Sequence, residues 1–426
     1  MNLVQITPGA GGMYCGNCFR DNALVAEWRR QGHETLMLPL YLPMTLDEPD
    51  QSASSPIFFG GINVYLQQQS SLFRYTPDWL RHWLSSPRLL KWATGRAAKT
   101  RASELGELTL SMLRGEEGRQ ARELDELIAW LRGQPRPDAV FLSNALLLGM
   151  ARRLGRELGC PIVCMLQGED EFVDSLNAPF RDACWQEMSV RAREVDRFIA
   201  PSAYFGERMA QRLALTSTQL RVVPNGIQLE GYASQSHPAP TRSEPPVLGF
   251  FARMCPEKGL DRLIEAFLMA RSAVPQLRLK VGGGCGPGDE PFVEKLKTRL
   301  REAGALDAVE FHPNVDRAGK IRFLQSLSFF SVPAGYSEAF GLYLVEAMAA
   351  GVPVIQPDRC AFREIVERSG GGLVVEDSTR ALSDAFVRLV LNPEELRRLS
   401  VCAAEGARRA FSVEAMAKGI LQAMAS

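Results

Sequence analysis

Two carboxylates, Glu338 and Glu346, stand in the otherwise apolar stretch GYSEAFGLYLVEAMAAGVPVI. The pattern predicts a strand over 328–333, then a loop, then a helix from near Gly341 to about Ala350. Glu338 therefore lies in the loop and Glu346 inside the helix. A purely structural interpretation needs one acid favoured by the helix dipole and a second turned to solvent. Because the neighbours of Glu346 are apolar, the predicted helix has little polar face on which Glu346 could be turned to solvent.

The start of this helix predicts a phosphate site. The backbone N–H groups of Phe340, Gly341 and Leu342 would lack intrahelical acceptors, and such groups bind anions. Because carboxylates repel a phosphate, Glu338 and Glu346 should instead bind neutral hydroxyl groups, which donate hydrogen bonds to them. A sugar and a ribose fit this requirement.

Two cations, Arg253 and Lys258, follow the predicted strand 247–252 in GFFARMCPEKGLDRLIEAF. Arg can bind a phosphate bidentately and Lys as a point charge, so together they could neutralise a diphosphate leaving group. Basic residues in a turn are usually only solvated. Their predicted position beside the helix that contains Glu346 favours the functional interpretation.

The loop TPGAGGMYCGNC after the first strand contains Gly11 and Gly12. It predicts a tight turn that brings backbone N–H groups near the ligand. The spacing is not G-x-G-x-x-G and no acid ends the next strand, which disfavours a dinucleotide cofactor. Cys15 and Cys18 form a C-x-x-C pair, but no second pair completes the four ligands of a structural metal site. We expect neither a metal nor a cofactor.

A polar group ends the predicted strand 161–166, at Gln167, Glu169 and Asp170. An acid there could orient or deprotonate an acceptor hydroxyl. Alternatively, Glu169 or Asp170 caps the next helix by accepting from its free N–H groups. The sequence leaves both interpretations open.

The composition is that of a globular protein with two domains, since 426 residues exceed the size of one hydrophobic core. The 49 basic and 49 acidic residues cancel, so nothing global indicates nucleic-acid binding. No apolar run is long enough to cross a membrane, and the N-terminus lacks the pattern of a signal peptide. Nine cysteines at irregular spacing fit reduced thiols in a cytosol.

Short apolar runs alternate with amphipathic segments in both halves, which predicts an α/β fold of two doubly wound, Rossmann-like domains. Ligand should bind where the carboxyl ends of the two sheets face each other across a crevice. The predicted parts are a first Rossmann-like domain (1–232), a linker rich in Pro and Ser (233–246), a second Rossmann-like domain (247–410) and a last helix packed back on the first domain (411–426).

The segment 68–132 departs from this alternation and predicts a helical insertion. Within it, 74–101 is basic and contains Trp79, Trp83 and Trp92. Such a segment could lie on an anionic membrane at its inner face or bind an extended acceptor. The alternative is a helical cap with tryptophans packed on the sheet and arginines in solvent.

The motifs RMCPEKG and SEAFGLYLVEAMAAGVPVI, with the later GGGLVV strand, closely resemble retaining glycosyltransferases of family 4, which have the GT-B fold. The likeness is strong over 220–425 and includes the E-x7-E motif from Glu338 to Glu346. It is looser in the first half. Many members have a histidine where this chain has Gln167, so a catalytic side chain there is not implied.

The resemblance implies a metal-independent hexosyltransferase whose donor is a nucleotide-diphosphate sugar and whose acceptor is a hydroxyl of a saccharide, lipid-linked saccharide or small metabolite. By that likeness Glu346 holds ribose hydroxyls, Glu338 contacts the donor sugar, and Arg253 with Lys258 binds the diphosphate. Backbone contacts would come from Phe340, Gly341 and Leu342. The resemblance thus makes 247–410 the nucleotide-sugar-binding domain and 1–232 the acceptor-side domain. The alternatives are an epimerase or phosphorylase-like enzyme on the same fold, or a non-catalytic sugar-nucleotide binding protein.

Overall fold

The computed structural model describes residues 1–9, 16–44, 46, 48–53, 55–59, 102–232 and 245–425. Its contacts divide the chain into two units, Met1–Val223 with Met416–Ser426, and Pro224–Ala415. Each unit contains one six-stranded sheet in which every strand pairs parallel with its neighbours. The predicted α/β architecture is confirmed in both halves.

The first sheet has the strand order β2-β1-β3-β4-β5-β6. The winding reverses between β1 and β3, as in flavodoxin-like sheets. All residues of β3 and β4 are buried, because helices cover both faces of a parallel sheet. The strands are Asn2–Thr7 (β1), Glu34–Pro39 (β2), Ala139–Leu142 (β3), Ile162–Met165 (β4), Arg197–Ala200 (β5) and Leu220–Val222 (β6).

Strand β6 was not predicted. It has three residues, none of them buried, and pairs only with β5 at the edge of the sheet. So short and exposed a strand has neither an apolar run nor an alternation that would distinguish it from a loop.

Seven α-helices are described in the main segment of the first unit: Gly16–Arg30 (α1), Ala102–Leu113 (α2), Ala121–Arg132 (α3), Ala151–Leu158 (α4), Glu169–Asp174 (α5), Ala178–Arg191 (α6) and Ala203–Leu213 (α7). Short 3-10 turns cover Gly115–Glu117, Ala145–Met150 and Ala192–Glu194. Helices α2 and α3 are the described part of the predicted insertion. A Cβ at Gly106 of α2 would lie 2.7 Å from the Phe180 side chain, so this contact with α6 needs glycine. The basic segment 74–101 lies outside the described residues.

The second sheet has the order β12-β11-β10-β7-β8-β9. Counted from the start of the unit this is the order 6-5-4-1-2-3 of dinucleotide-binding folds, and the winding reverses between β7 and β10. Ligands of such sheets bind beyond the carboxyl ends of the strands at this reversal. The strands are Val247–Phe251 (β7), Arg278–Gly283 (β8), Val309–Pro313 (β9), Phe329–Phe330 (β10), Val354–Pro357 (β11) and Gly372–Val375 (β12).

Strand β10 is shorter than the predicted 328–333. Ser331 still donates to Gly249 O at 3.0 Å, but the chain then leaves the ladder. Pro333, two residues further on, has no N–H to continue it. The loop that carries Glu338 therefore begins closer to the sheet than the sequence suggested.

The remaining helices are Leu260–Ala273 (α8), Glu290–Glu302 (α9), Arg317–Gln325 (α10), Leu342–Ala349 (α11), Phe362–Ser369 (α12), Thr379–Leu391 (α13), Pro393–Ala410 (α14) and Val413–Ala425 (α15). The 3-10 turns Pro256–Lys258 and Leu306–Ala308 lie in the same unit. Ser412 precedes the last helix and accepts from Ala415 N at 3.2 Å. No helix in the described ranges has both the length and the apolar character needed to cross a bilayer.

The boundary between the units differs from the predicted one at 232. Residues 224–232 group with the second unit because Ile227 forms backbone hydrogen bonds with Phe411 and Val413, at 2.9 and 3.0 Å, and Tyr232 is buried in the core of that unit. From Met416 onward, α15 belongs to the first unit. A Cβ at Gly419 would lie 2.8 Å from Val223.

Candidate active site

Lys258 and Glu338 form an ion pair at the carboxyl edge of the second sheet. Lys258 ends the turn that follows β7, Glu338 lies in the loop that follows β10, and Nζ is 2.7 Å from Oε2. Their side chains are 20% and 13% exposed, so the pair is largely shielded from solvent. The sequence predicted both residues as functional but not their contact.

A glycine allows the turn and the loop to approach this closely. Gly259 has a φ of +71°, and a Cβ there would lie 2.0 Å from the Pro333 carbonyl oxygen. Gly335 N also donates to Glu257 O at 2.8 Å. Glycine is required at 259 by both its conformation and the available space. The backbone thus brings the two charged side chains together.

Two tyrosines complete this cluster, and sequence reasoning did not single them out. Tyr336 and Tyr343 each donate a hydrogen bond to Glu338 Oε2 at 2.9 Å. Lys258 Nζ contacts the Tyr336 hydroxyl and lies 4.7 and 5.2 Å from the centroids of the two rings. The sequence did contain one signal for them: two tyrosines, whose hydroxyl groups need hydrogen-bond partners, lie in a stretch that is otherwise typical of a buried core.

The Lys258 ammonium and the two phenols keep Glu338 ionised. Burial alone would raise the pKa of this carboxyl, but attraction to Lys258 and hydrogen bonds from Lys258, Tyr336 and Tyr343 outweigh it and lower the pKa below its ordinary value. Burial and the neighbouring carboxylate raise the pKa of Tyr343 well above its usual range, so this phenol remains a donor.

The predicted phosphate site is the N-terminus of α11. Gly341 precedes the helix with a φ of +104°, which favours glycine. The N–H groups of Phe340, Gly341 and Leu342 donate to no acceptor among the described residues. They are therefore available to an anion.

Glu346 forms a second ion pair, with Lys320 of α10. Glu346 Oε1 lies 2.7 Å from Lys320 Nζ, and the two side chains are 19% and 16% exposed. The acid inside the apolar helix is therefore neither solvated nor unpaired. Sequence reasoning missed Lys320, which lies 26 residues before Glu346 and on a different helix.

Arg253 does not join Lys258 in the structure. Its Nε and Nη2 atoms donate to Asp289 at 2.9 to 3.1 Å. Asp289 also accepts from Gly286 N at 3.1 Å. The hydrogen bond and attraction of Asp289 raise the pKa of Arg253 despite some burial. Binding of a diphosphate by Arg253 stays a prediction.

The polar residues after β4 have structural partners. Glu169 Oε1 accepts from Ala145 N at 2.9 Å, and Oε2 accepts from Gln167 N at 2.6 Å. Burial raises the pKa of Glu169 against the effect of these donors. Asp170 Oδ2 lies 2.6 Å from Arg208 Nε. These partners are structural, but neither is the predicted cap of the next helix, which has no side-chain cap hydrogen bond. The role of both acids toward an acceptor stays a prediction.

A buried ion pair that the sequence did not reveal lies on helix α1, beside the first sheet. Arg20 of α1 pairs with its neighbour Asp21, and both side chains are fully buried. Arg20 Nη2 also donates to Ser143 O at 2.9 Å, directly after β3. This charge ties helix α1 to the carboxyl end of the sheet.

The glycine loop and its cysteine pair are only partly described. Gly11, Gly12 and Cys15 lie outside the described residues, whereas Cys18 is buried on α1. Among the residues with described positions, no group of three His, Cys, Asp or Glu side chains comes together as metal ligands would.

Family models match both halves of the chain. The model described as "Glycosyltransferase Family 4" matches residues 103–230, and that described as "Glycosyl transferases group 1" matches residues 234–405. The chain belongs to the family 4 glycosyltransferases, and its two Rossmann-like units have the GT-B fold.

Known proteins similar to this chain include a phosphatidyl-myo-inositol mannosyltransferase of Mycobacterium leprae, 34% identical over 44% of this chain and 48% of that protein. A GDP-mannose:cellobiosyl-diphosphopolyprenol alpha-mannosyltransferase of Xanthomonas campestris is 32% identical over 46% of this chain and 49% of that protein. These matches span about half the length of the relatives. The structure of Anabaena HepE in complex with UDP and glucose is 16% identical, with a TM-score of 0.66 over 100% of this chain and 99% of HepE.

Proposed function

We propose that this chain transfers a hexosyl group from a nucleotide-diphosphate sugar to a hydroxyl acceptor, with retention of anomeric configuration and without a metal ion. The observation that carries this proposal is the Lys258–Glu338 pair, which lies at the winding reversal of the second sheet. A cation there stabilises a diphosphate as its charge develops, and a carboxylate binds sugar hydroxyls.

The chemistry requires charge neutralisation at the leaving group. The acceptor hydroxyl attacks C1 of the sugar from the face that the diphosphate leaves, and a phosphate oxygen takes the hydroxyl proton. The C1–O bond to phosphate breaks as the C1–O bond to the acceptor forms. Lys258 and the N–H groups at the start of α11 stabilise the diphosphate, with Arg253 as a second cation once released from Asp289.

Glu338 and Glu346 would bind the two hydroxyl-bearing parts of the donor. Glu338 takes the sugar, because it shares a cluster with the phosphate-binding lysine. Glu346 takes the ribose, with Lys320 beside it. The similar proteins carry names that refer to mannosyl transfer to inositol lipid or diphosphopolyprenol, and to UDP with glucose, which supports a hexosyl donor and a saccharide or lipid-linked acceptor.

The first experiment is a titration of the purified chain with a panel of sugar nucleotides, followed by thermal unfolding. A ligand that binds only the folded state raises the midpoint by mass action. We expect a shift with a particular sugar nucleotide and a smaller one with the others. The absence of any shift at millimolar ligand would contradict the proposal.

The second experiment identifies the reaction. The donor found in the first experiment is then supplied together with a hydroxyl acceptor. NMR of the product should show the same anomeric configuration as the donor sugar, and EDTA should leave the rate of transfer unchanged. An inverted anomeric configuration would exclude retention, and a lower rate of transfer with EDTA would exclude metal independence. Interconversion of the donor without acceptor would indicate an epimerase, phosphorolysis a phosphorylase, and binding without turnover a binding protein.

We also propose that the basic segment 74–101 contacts an anionic membrane when the acceptor is lipid-linked. Co-sedimentation with vesicles that contain anionic lipid, but not with neutral vesicles, is the expected result. Equal sedimentation with both would exclude an electrostatic contact.

A further inference from the structure

Three donors converge on one oxygen of Glu338. Lys258 Nζ lies 2.7 Å from Oε2, and the hydroxyls of Tyr336 and Tyr343 each lie 2.9 Å from the same atom. No described residue donates a hydrogen bond to Oε1. A carboxylate has about four lone-pair sites, so this one is saturated at one oxygen and available at the other.

The tyrosines matter because Lys258 has two possible anionic partners. If Lys258 turns to a bound diphosphate, Glu338 loses its strongest partner and the only cation in direct contact with it among the described residues. The two phenols remain as donors to Oε2. A buried carboxylate without donors would bind a proton instead, because burial disfavours its charged form.

We propose that Tyr343 and Tyr336 are positioning residues for Glu338, which hold Oε2 so that Oε1 accepts a hydrogen bond from a hydroxyl of the donor sugar while Lys258 serves the diphosphate. This inference rests on the proposed glycosyl transfer. It deepens that proposal by assigning recognition of the sugar, as distinct from the nucleotide, to a carboxylate oriented by two phenols.

The backbone that carries Tyr336 is itself fixed from the other side. Cys360 Sγ donates to Tyr336 O at 3.4 Å, and Arg359 Nη2 donates to Gly335 O at 2.9 Å. Cys360 has a φ of +53°, an unusual conformation for a residue with a side chain. Arg359 also pairs with Asp377 at 3.3 Å. The loop after β11 thus holds the loop after β10 in place.

Tyr343 is fixed by a different element. It lies in the first turn of α11, and its ring centroid is 6.5 Å from that of Phe330 in β10. The two phenols therefore approach Glu338 from a loop and from a helix. Removal of either hydroxyl leaves the other in place, which makes single Phe variants informative.

The test compares a nucleotide diphosphate with the matching nucleotide-diphosphate sugar in Tyr343→Phe and Tyr336→Phe. We expect kcat/KM for the sugar nucleotide to fall roughly tenfold in each variant, the effect of one hydrogen bond to a charged group. Affinity for the free nucleotide diphosphate, measured calorimetrically, should stay within about twofold of the wild type, which is the change that substitutions without a specific effect usually cause. Tyr232→Phe removes a phenol of the same unit that does not contact Glu338, and serves as the control.

A pH profile separates positioning from a loss of packing. The donors lower the pKa of Glu338, so removing one raises it, and the ionised carboxylate is lost at a higher pH. The acid limb of kcat/KM should therefore move upward in both Phe variants and stay in place in Tyr232→Phe. An unmoved acid limb, or an equal loss of affinity for nucleotide and sugar nucleotide, would overturn the inference.

Titration of the Glu338 carboxyl by carbon-13 NMR distinguishes this inference from the proposed function. If the wild type transfers sugar and the Phe variants keep both its kcat/KM and its titration of Glu338, the tyrosines have no part in the mechanism and the proposed function stands. A wild type without transfer, whose Glu338 still titrates at a higher pH in Tyr343→Phe, would reject the function while the positioning by the phenols stands.

Discussion

The carboxyl edges of the two sheets use acidic residues in opposite ways. In the first unit Glu169 accepts from backbone N–H groups at both oxygens, at 2.9 and 2.6 Å. In the second, Glu338 receives all three of its donors at Oε2. The first carboxylate has its hydrogen-bonding capacity used within the protein, whereas the second keeps one oxygen for a ligand.

The difference shows that an acid at the end of a parallel strand does not by itself indicate a binding site. Glu169 and Glu338 both follow strands and both are shielded from solvent. Their pKa values shift in opposite directions, upward for Glu169 through burial and downward for Glu338 because a lysine and two phenols outweigh burial. The two carboxylates differ in their donors: backbone N–H groups occupy both oxygens of Glu169, whereas side chains occupy one oxygen of Glu338.

The largest expected effect is that of Lys258→Ala. Turnover should fall by roughly a hundredfold or more, as on loss of one preorganised charge contact to a developing anion. Steady-state kinetics with saturating donor measure this. Lys297→Ala, which removes a half-buried lysine paired with Glu294 at 2.7 Å in the same unit, is the control and should leave turnover unchanged. Near-normal turnover in Lys258→Ala would remove this residue from the mechanism.

Glu169→Ala should affect stability instead of donor binding. Two N–H groups, of Ala145 and Gln167, lose their carboxylate acceptor, and the free energy of unfolding should fall by about 2 kcal/mol. Denaturant unfolding measures the loss, with Glu171→Ala on the exposed side of the same helix as the control. Unchanged stability together with a raised KM for the acceptor would instead favour the acceptor-side interpretation and break the comparison.

Glu346→Ala should weaken nucleotide binding without altering the choice of sugar. The loss of a charged acceptor for ribose hydroxyls corresponds to roughly tenfold in the dissociation constant. Calorimetry with the nucleotide diphosphate measures this, and Glu346→Gln separates the charge from the hydrogen bond. A changed preference among sugars at unchanged nucleotide affinity would exchange the roles assigned to Glu338 and Glu346.

The sequence predicted the sheets well because buried parallel strands appear as continuous apolar runs, as in AVFL and IVCM of β3 and β4. It failed at β6, which is short and exposed. The charged residues of the site were recognised by their types and by the elements they follow. Their partners were not, because the contact of Lys320 with Glu346, or of Tyr343 with Glu338, depends on side-chain packing and not on the apolar pattern.

Arg253 and Asp289 provide the smallest and most specific test of the same comparison. The Arg253 guanidinium, which we expect to bind the diphosphate, donates hydrogen bonds to the Asp289 carboxylate at 2.9 to 3.1 Å. The Arg253 side chain is nevertheless 66% exposed. Asp289 itself is only 8% exposed and also accepts from Gly286 N at 3.1 Å. Asp289→Asn removes the carboxylate charge that competes for Arg253 and should strengthen nucleotide diphosphate binding about twofold at low salt. Calorimetry at two salt concentrations measures it, with Glu294→Gln on the same helix as control. Weaker binding in Asp289→Asn would mean that the ion pair holds Arg253 in its binding position, so that the diphosphate meets the arginine and its carboxylate together.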